Sequence, residues 1–172
     1  AKRAAVVDVI DIRYWYYEED GKVYAPLGGQ SLAPRQHERL LKPKRPSFES
    51  VYKAVSEYRL LYPAKAVMYS AEGCDNFGWA VFMGGGSLAN VPVSDVNFLR
   101  AAAAMQPVEL GGLHALRNKS GDYIVYAVGV ETVKLPGKWK VVRVDAQTGK
   151  VGDAMVVEGA EVPGKAVLWI TK

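Results

Sequence analysis

Glu72 and Asp75 follow directly on the apolar run Lys65 to Ser70, and a carboxylate just past the carboxyl end of a strand is where α/β barrel enzymes hold their reacting groups. At that point Glu72 could act as a base or nucleophile; the plainer alternative is a cap for the next helix or a pairing with a nearby Arg. Asp75 could support Glu72 or cap a helix starting near Asn76. Asp11 and Arg13 alternate on one side of an earlier apolar run, which aims both at a barrel mouth or joins them in an internal ion pair. Tyr14, Trp15 and Tyr16 end the same run, and Trp79 follows Asp75; flat aromatic faces there serve either ligand stacking or a core.

Positioning these groups is the work of the elements around them. Val6 to Tyr17 is nearly continuous in β-branched and apolar residues, as in a strand buried on both faces, interrupted by Asp8 and Asp11. A Gly- and Pro-containing stretch, Glu18 to Pro46, lacks clear periodicity and has the length of a functional loop; a short helix around Pro34 to Leu41 is compatible with it. Ser47 then reads as an N-cap, with Phe48, Val51, Tyr52, Val55 and Tyr62 at helical spacing until Pro63 ends the pattern. Lys65 to Ser70 is the next strand, and strand, helix, strand in that order predicts a parallel pair. Phe77 to Met83 predicts a short helix, Gly84-Gly85-Gly86 a tight turn, Ser87 to Val91 a further strand, and Ser94 the cap of a helix that Pro107 ends.

Beyond Gly111-Gly112 the periodicity changes to alternation. Strands are expected at Leu113 to Asn118, Asp122 to Val128, Glu131 to Leu135, Trp139 to Val144, Ala154 to Glu158 and Ala166 to Thr171. Asn118 to Gly121 and Asp145 to Gly149 have hairpin turn chemistry. The reading is therefore two domains, 1–110 with α/β character and 111–172 as a small antiparallel β-sandwich.

Composition is that of an ordinary globular chain: 172 residues, 49% hydrophobic and 23% charged, with no apolar stretch of membrane-spanning length. Cys74 is the single cysteine, which excludes an internal disulfide and a cysteine-based zinc site. The net charge of +4 is densest at Arg35, Arg39, Lys42, Lys44 and Arg45, read as a solvated loop in preference to a nucleic-acid site. His37 in the long loop could contact a ligand or simply be solvated, and His114 reads as structural. The three glycines at 84–86 are not a phosphate loop, because no Lys-Ser/Thr follows and no Gly-x-Gly-x-x-Gly spacing occurs; no cofactor is expected.

The run Lys65-Ala66-Val67-Met68-Tyr69-Ser70-Ala71-Glu72-Gly73, followed by Phe77-Gly78-Trp79-Ala80-Val81-Phe82-Met83-Gly84-Gly85-Gly86-Ser87, resembles the end of the barrel in apiosidase-like glycoside hydrolases. Gly121 to Tyr126, Gly137-Lys138-Trp139, Asp145 to Gly149 and Val167 to Ile170 resemble the β domain that follows those barrels, often labelled a putative collagen-binding domain. The resemblance implies the last strands of a (β/α)8 barrel, Glu72 as one of the two carboxylates that cleave an O-glycosidic bond in a polysaccharide, and a secreted or periplasmic setting. Asp11, Arg13, Trp15, Asp75 and Trp79 are then the expected substrate contacts. A closed barrel takes about 250 residues, so the proton donor is expected on a barrel half supplied upstream or by self-association. The alternative function is a non-catalytic module that binds carbohydrate or collagen, with neither nucleic acid nor membrane as a partner.

Overall fold

The computed structural model describes residues 8–12, 16–17, 23–24, 47–70 and 77–172. In chain order the elements are β1 (Val9–Ile12), β2 (Tyr16–Tyr17), β3 (Val23–Tyr24), α1 (Phe48–Leu61), β4 (Ala66–Tyr69), α2 (Gly78–Met83), α3 (Val96–Ala103), β5 (Gln106–Leu110), β6 (Leu113–Arg117), β7 (Tyr123–Tyr126), β8 (Thr132–Val144), β9 (Val151–Pro163) and β10 (Val167–Thr171).

Helix α1 begins where its cap chemistry dictates. Ser47 Oγ accepts from the Ser50 N–H at 3.2 Å, and Ser50 Oγ accepts from the Ser47 N–H at 2.9 Å, so two otherwise unpaired amides are satisfied reciprocally. Its far end closes at Tyr62, ahead of Pro63. Val51, Ala54 and Val55 form the buried stripe, which packs against Ile12 and Val67. β1 and β4 are parallel, with Ile10 opposite Val67 and Ile12 opposite Tyr69, as the strand, helix, strand order predicts. Of the long first strand read from 6–17, the described residues show β1 and the short β2, and β2 pairs antiparallel with β3.

Six strands form one antiparallel sheet in the order β5-β6-β7-β10-β8-β9. Alternation assigns its faces: Ala115, Val125, Leu168 and Ile170 to one core, Leu116, Ile124, Val144 and Val167 to another. The second core is roofed by Phe82 and Met83 of α2 and by Phe98 of α3. Over the first, the β8–β9 hairpin bends back. A register shift between Lys134 and Gly137 marks the bend, and Val133, Leu135 and Val162 beyond it share the core of Ala115 and Leu168. The strands expected as a two-sheet sandwich thus form one six-stranded antiparallel sheet, with Val133, Leu135 and Val162 of its last hairpin sharing the core of the central strands.

Four local readings are corrected. Ser87 to Val91 is not a strand: Leu88 takes φ 56°, and the Ser87 N–H is spent on the Val67 carbonyl at 2.6 Å. Asp95, not Ser94, caps α3, because its Oδ1 accepts from the Phe98 N–H at 2.8 Å, three residues on. Pro107 does not merely end a helix but lies within β5, an edge strand, where a missing N–H is tolerated. Pro136-Gly137 does not separate two strands, since β8 runs through it by way of the irregularity. Gly111 and Gly112, with φ of 59° and 81°, are the two-residue turn joining β5 to β6, a geometry that side chains resist at both positions. The sheet therefore starts at Gln106, ahead of the change in composition.

Candidate functional site

The parallel pair has two unlike faces. Ile10, Ile12, Val67 and Tyr69 point to α1, whereas Val9, Asp11 and Met68 occupy the other side, where Val9 is 48% exposed. Apolar contact with α1 explains the first face. The second carries a polar pair at its carboxyl end: Ser70 Oγ–H donates to Asp11 Oδ1 at 2.6 Å. The backbone locks both residues in place, because pairing continues past β4 through the Ser70 N–H to the Ile12 carbonyl at 3.2 Å. A short hydrogen bond from a hydroxyl to a carboxylate orients that carboxylate.

Asp11 is thus placed at the carboxyl ends of adjacent parallel strands, on the side away from the helix, with Ser70 as the partner that sequence reading passed over. Glu72 is two residues further along the chain. Glu72, Arg13, Trp15, Tyr14, Asp75, Cys74, His37 and the Arg35 to Arg45 cluster lie outside the described residues.

Trp79 stands elsewhere, in the first turn of α2. Its indole N–H donates to the Ala146 carbonyl at 2.8 Å, and its ring meets Phe82 edge-on at 5.4 Å and Tyr126 at 6.2 Å. It ties α2 to the turn after β8. His114, at the second position of β6, is built into the same junction: Nε2 is 2.9 Å from Glu49 Oε1, and its ring lies 3.8 Å from that of Tyr52. Burial, with Glu109 and Glu49 adding to it, raises the Tyr52 hydroxyl pKa above its ordinary value, and burial does the same for Tyr126. Phe48 stacks between these rings, 5.5 Å from His114 and 4.8 Å from Tyr126. Aromatic packing, the Trp79 indole hydrogen bond and the His114–Glu49 hydrogen bond therefore join α1 and α2 to the sheet.

Among the described residues no three His, Cys, Asp or Glu side chains converge in a way that would hold a metal ion, and no helix is long and apolar enough to cross a membrane.

Fold and site together define a mixed α/β chain in which a β-α-β unit with a polar strand-end face packs on an antiparallel sheet. Residues 1–105, more than half of the chain, match a family described as Domain of unknown function (DUF6298), and the chain belongs to that family. The match ends at the residue before β5, so it spans the β-α-β unit and its helices and stops where the six-stranded sheet begins. No curated protein and no solved structure matches the chain.

Proposed function

We propose that this chain is the carboxyl-terminal part of a glycoside hydrolase, in which β1-α1-β4 contributes to a (β/α)8 barrel and the six-stranded sheet is the β domain that follows it. The observation that carries the reading is the Asp11–Ser70 pair. It sets a hydrogen-bonded carboxylate on the side of two parallel strands away from α1, at their carboxyl ends, with Ser70 two residues before Glu72. In a barrel that side is the interior and that end is the mouth.

Glu72 is the working carboxylate. It either attacks the anomeric carbon or removes a proton from the water that does so, while a second carboxylic acid, carried on another barrel strand, protonates the departing glycosidic oxygen. Asp11 accepts hydroxyl hydrogens of the bound sugar, held in orientation by Ser70. Arg13, Trp15 and Asp75 complete the contacts, while Trp79 ties α2 to the turn after β8 through Ala146.

The experiment is hydrolysis of a panel of aryl glycosides and of plant and bacterial polysaccharides by the full natural protein and its Glu72→Gln form. Loss of a general base or nucleophile is expected to lower kcat by about a hundredfold or more while the circular dichroism spectrum is unchanged. Full activity in the variant, or binding of a polysaccharide with no cleavage by the parent protein, would overturn the proposal; the second result would identify a binding module.

A further inference from the structure

At the other end of α1, away from the strand-end face, lies an open cavity of about 380 Å³ lined by residues that include Arg59, Phe82, Leu88, Leu99, Met105 and Leu116. Arg59 belongs to the last turn of α1 and Glu49 to the first, about 15 Å apart along the axis. Because the helix of a β-α-β unit runs back along its strands, this cavity lies toward their amino ends, and its chemistry does not depend on Glu72 or Asp11.

Two independent irregularities meet at it. Arg59 Nη1 donates to the Pro63 carbonyl at 2.5 Å and to the Lys65 carbonyl at 3.3 Å, but Nε is the single buried side-chain polar atom among the described residues that has no partner. With Nη1 committed, the edge formed by Nε and Nη2 is left, and that edge has the fork geometry that accepts both oxygens of a carboxylate. Leu88 is the second irregularity. Its φ of 56° is a conformation that a branched side chain resists, and it holds an apolar residue 85% exposed at the cavity wall. Strained, exposed residues of this kind gather at ligand clamps. The remaining side chains are mostly aliphatic and aromatic, with Met105 and Leu116 forming a buried floor and Gly85, Gly86 and Ser87 supplying backbone and a hydroxyl.

We propose that this cavity binds a small carboxylate with an apolar body, its carboxylate on the Nε/Nη2 edge of Arg59 and its hydrocarbon between Leu88, Leu99 and Met105. The volume falls within the range of small-molecule sites, and the combination of an apolar lining with one placed cation matches an amphipathic anion. Seating the carboxylate on Nε requires the atoms that bury it to shift.

The test is calorimetric titration of the full chain with octanoate and, separately, octanol. Octanoate is expected to bind with a Kd of about a millimolar or tighter, as its size allows, and octanol at least tenfold more weakly. Ala103→Phe, which adds bulk at an exposed helix position lining the cavity, should abolish octanoate binding without lowering the melting temperature. Arg59→Lys keeps the charge and loses the fork, and should weaken octanoate about tenfold while leaving octanol unchanged. Equal binding of octanoate and octanol, no octanoate binding at millimolar concentration, or undiminished binding to a folded Ala103→Phe protein would overturn the proposal. None of these results depends on sugar cleavage.

Discussion

The six-stranded sheet is apolar on both faces, with Ala115, Val125 and Ile170 buried on one side and Leu116, Ile124 and Val167 on the other. The parallel pair buries Ile12 and Val67 toward α1 and carries a mixed set on its opposite side, Val9 and Met68 together with the hydrogen-bonded Asp11 and Ser70. One β region therefore closes both of its own cores with its bent hairpin and the α2 and α3 roof. The other, among the described residues, is covered on one face only, and the second face is polar at one end, which suits a working surface better than a core. The contrast separates the part of the molecule that supplies stability from the part proposed to supply function.

The sharpest way to break this comparison is to remove the roof. Phe98 is fully buried, stacked on Phe82 at 5.6 Å and set edge-on to Trp169 at 5.9 Å. Phe98→Ala is expected to cost about 3–5 kcal/mol in denaturant unfolding. The loss should appear as one transition, because Phe98 belongs to a core shared by α2, α3 and the sheet; two separate transitions would show that the regions are energetically independent. A smaller effect is expected at the junction. Trp79→Phe deletes the indole N–H and strands the Ala146 carbonyl, for a loss of roughly 1–3 kcal/mol in the same assay. A near-zero change would mean that the α2–sheet contact is held by ring packing alone.

Cap removal probes the β-α-β unit by itself. Ser47→Ala breaks the reciprocal pair with Ser50 and should destabilise by about 1 kcal/mol, with faster amide exchange confined to the first turn of α1. The smallest effect is the pH response of the turn after β8. The Thr148 N–H, the Thr148 hydroxyl and the Gln147 N–H all donate to Asp145 Oδ1, which holds this carboxyl below its ordinary pKa. A depressed folded-state pKa means that the contribution is present above the unfolded value and is lost as pH falls through the folded one. Acidification should therefore loosen the 145–149 turn first, seen as faster exchange of the Gly149 amide, which bonds to the Asp145 carbonyl at 2.9 Å. That turn sits against the loop before α3. A Cβ on Gly149 would fall 2.2 Å from the Pro92 carbonyl oxygen, so Gly149 both makes the turn and permits the contact.

Elements set by short-range rules were legible from residues alone. Ser47 and Pro63 bracket α1 because capping and the missing proline N–H act within a few residues. Strand, helix, strand order implied the parallel pair because a crossover leaves few alternatives. Asn118 to Gly121 and Asp145 to Gly149 form turns where their side-chain chemistry placed them, with Gly121 and Gly149 at φ 87° and 71°. Misreadings arose where one residue type has two uses. Proline disfavours both helix interiors and central strands, so Pro107 concealed an edge strand and Pro136 concealed the continuity of β8.

What composition and periodicity determined by themselves is the kind of most elements, α1, β4 and the strands after Gly112 among them. Which side chains meet was decided by the tertiary structure. Ser70 reaches Asp11 across 59 positions of sequence, and Trp79 reaches Ala146 across 67. The cavity beside Arg59 is assembled from α1, α2, α3, β6 and the segments between them. No local pattern encodes such contacts, because they depend on where separate elements dock, and docking is governed by the sum of buried apolar area over many residues, with no single spacing to report it.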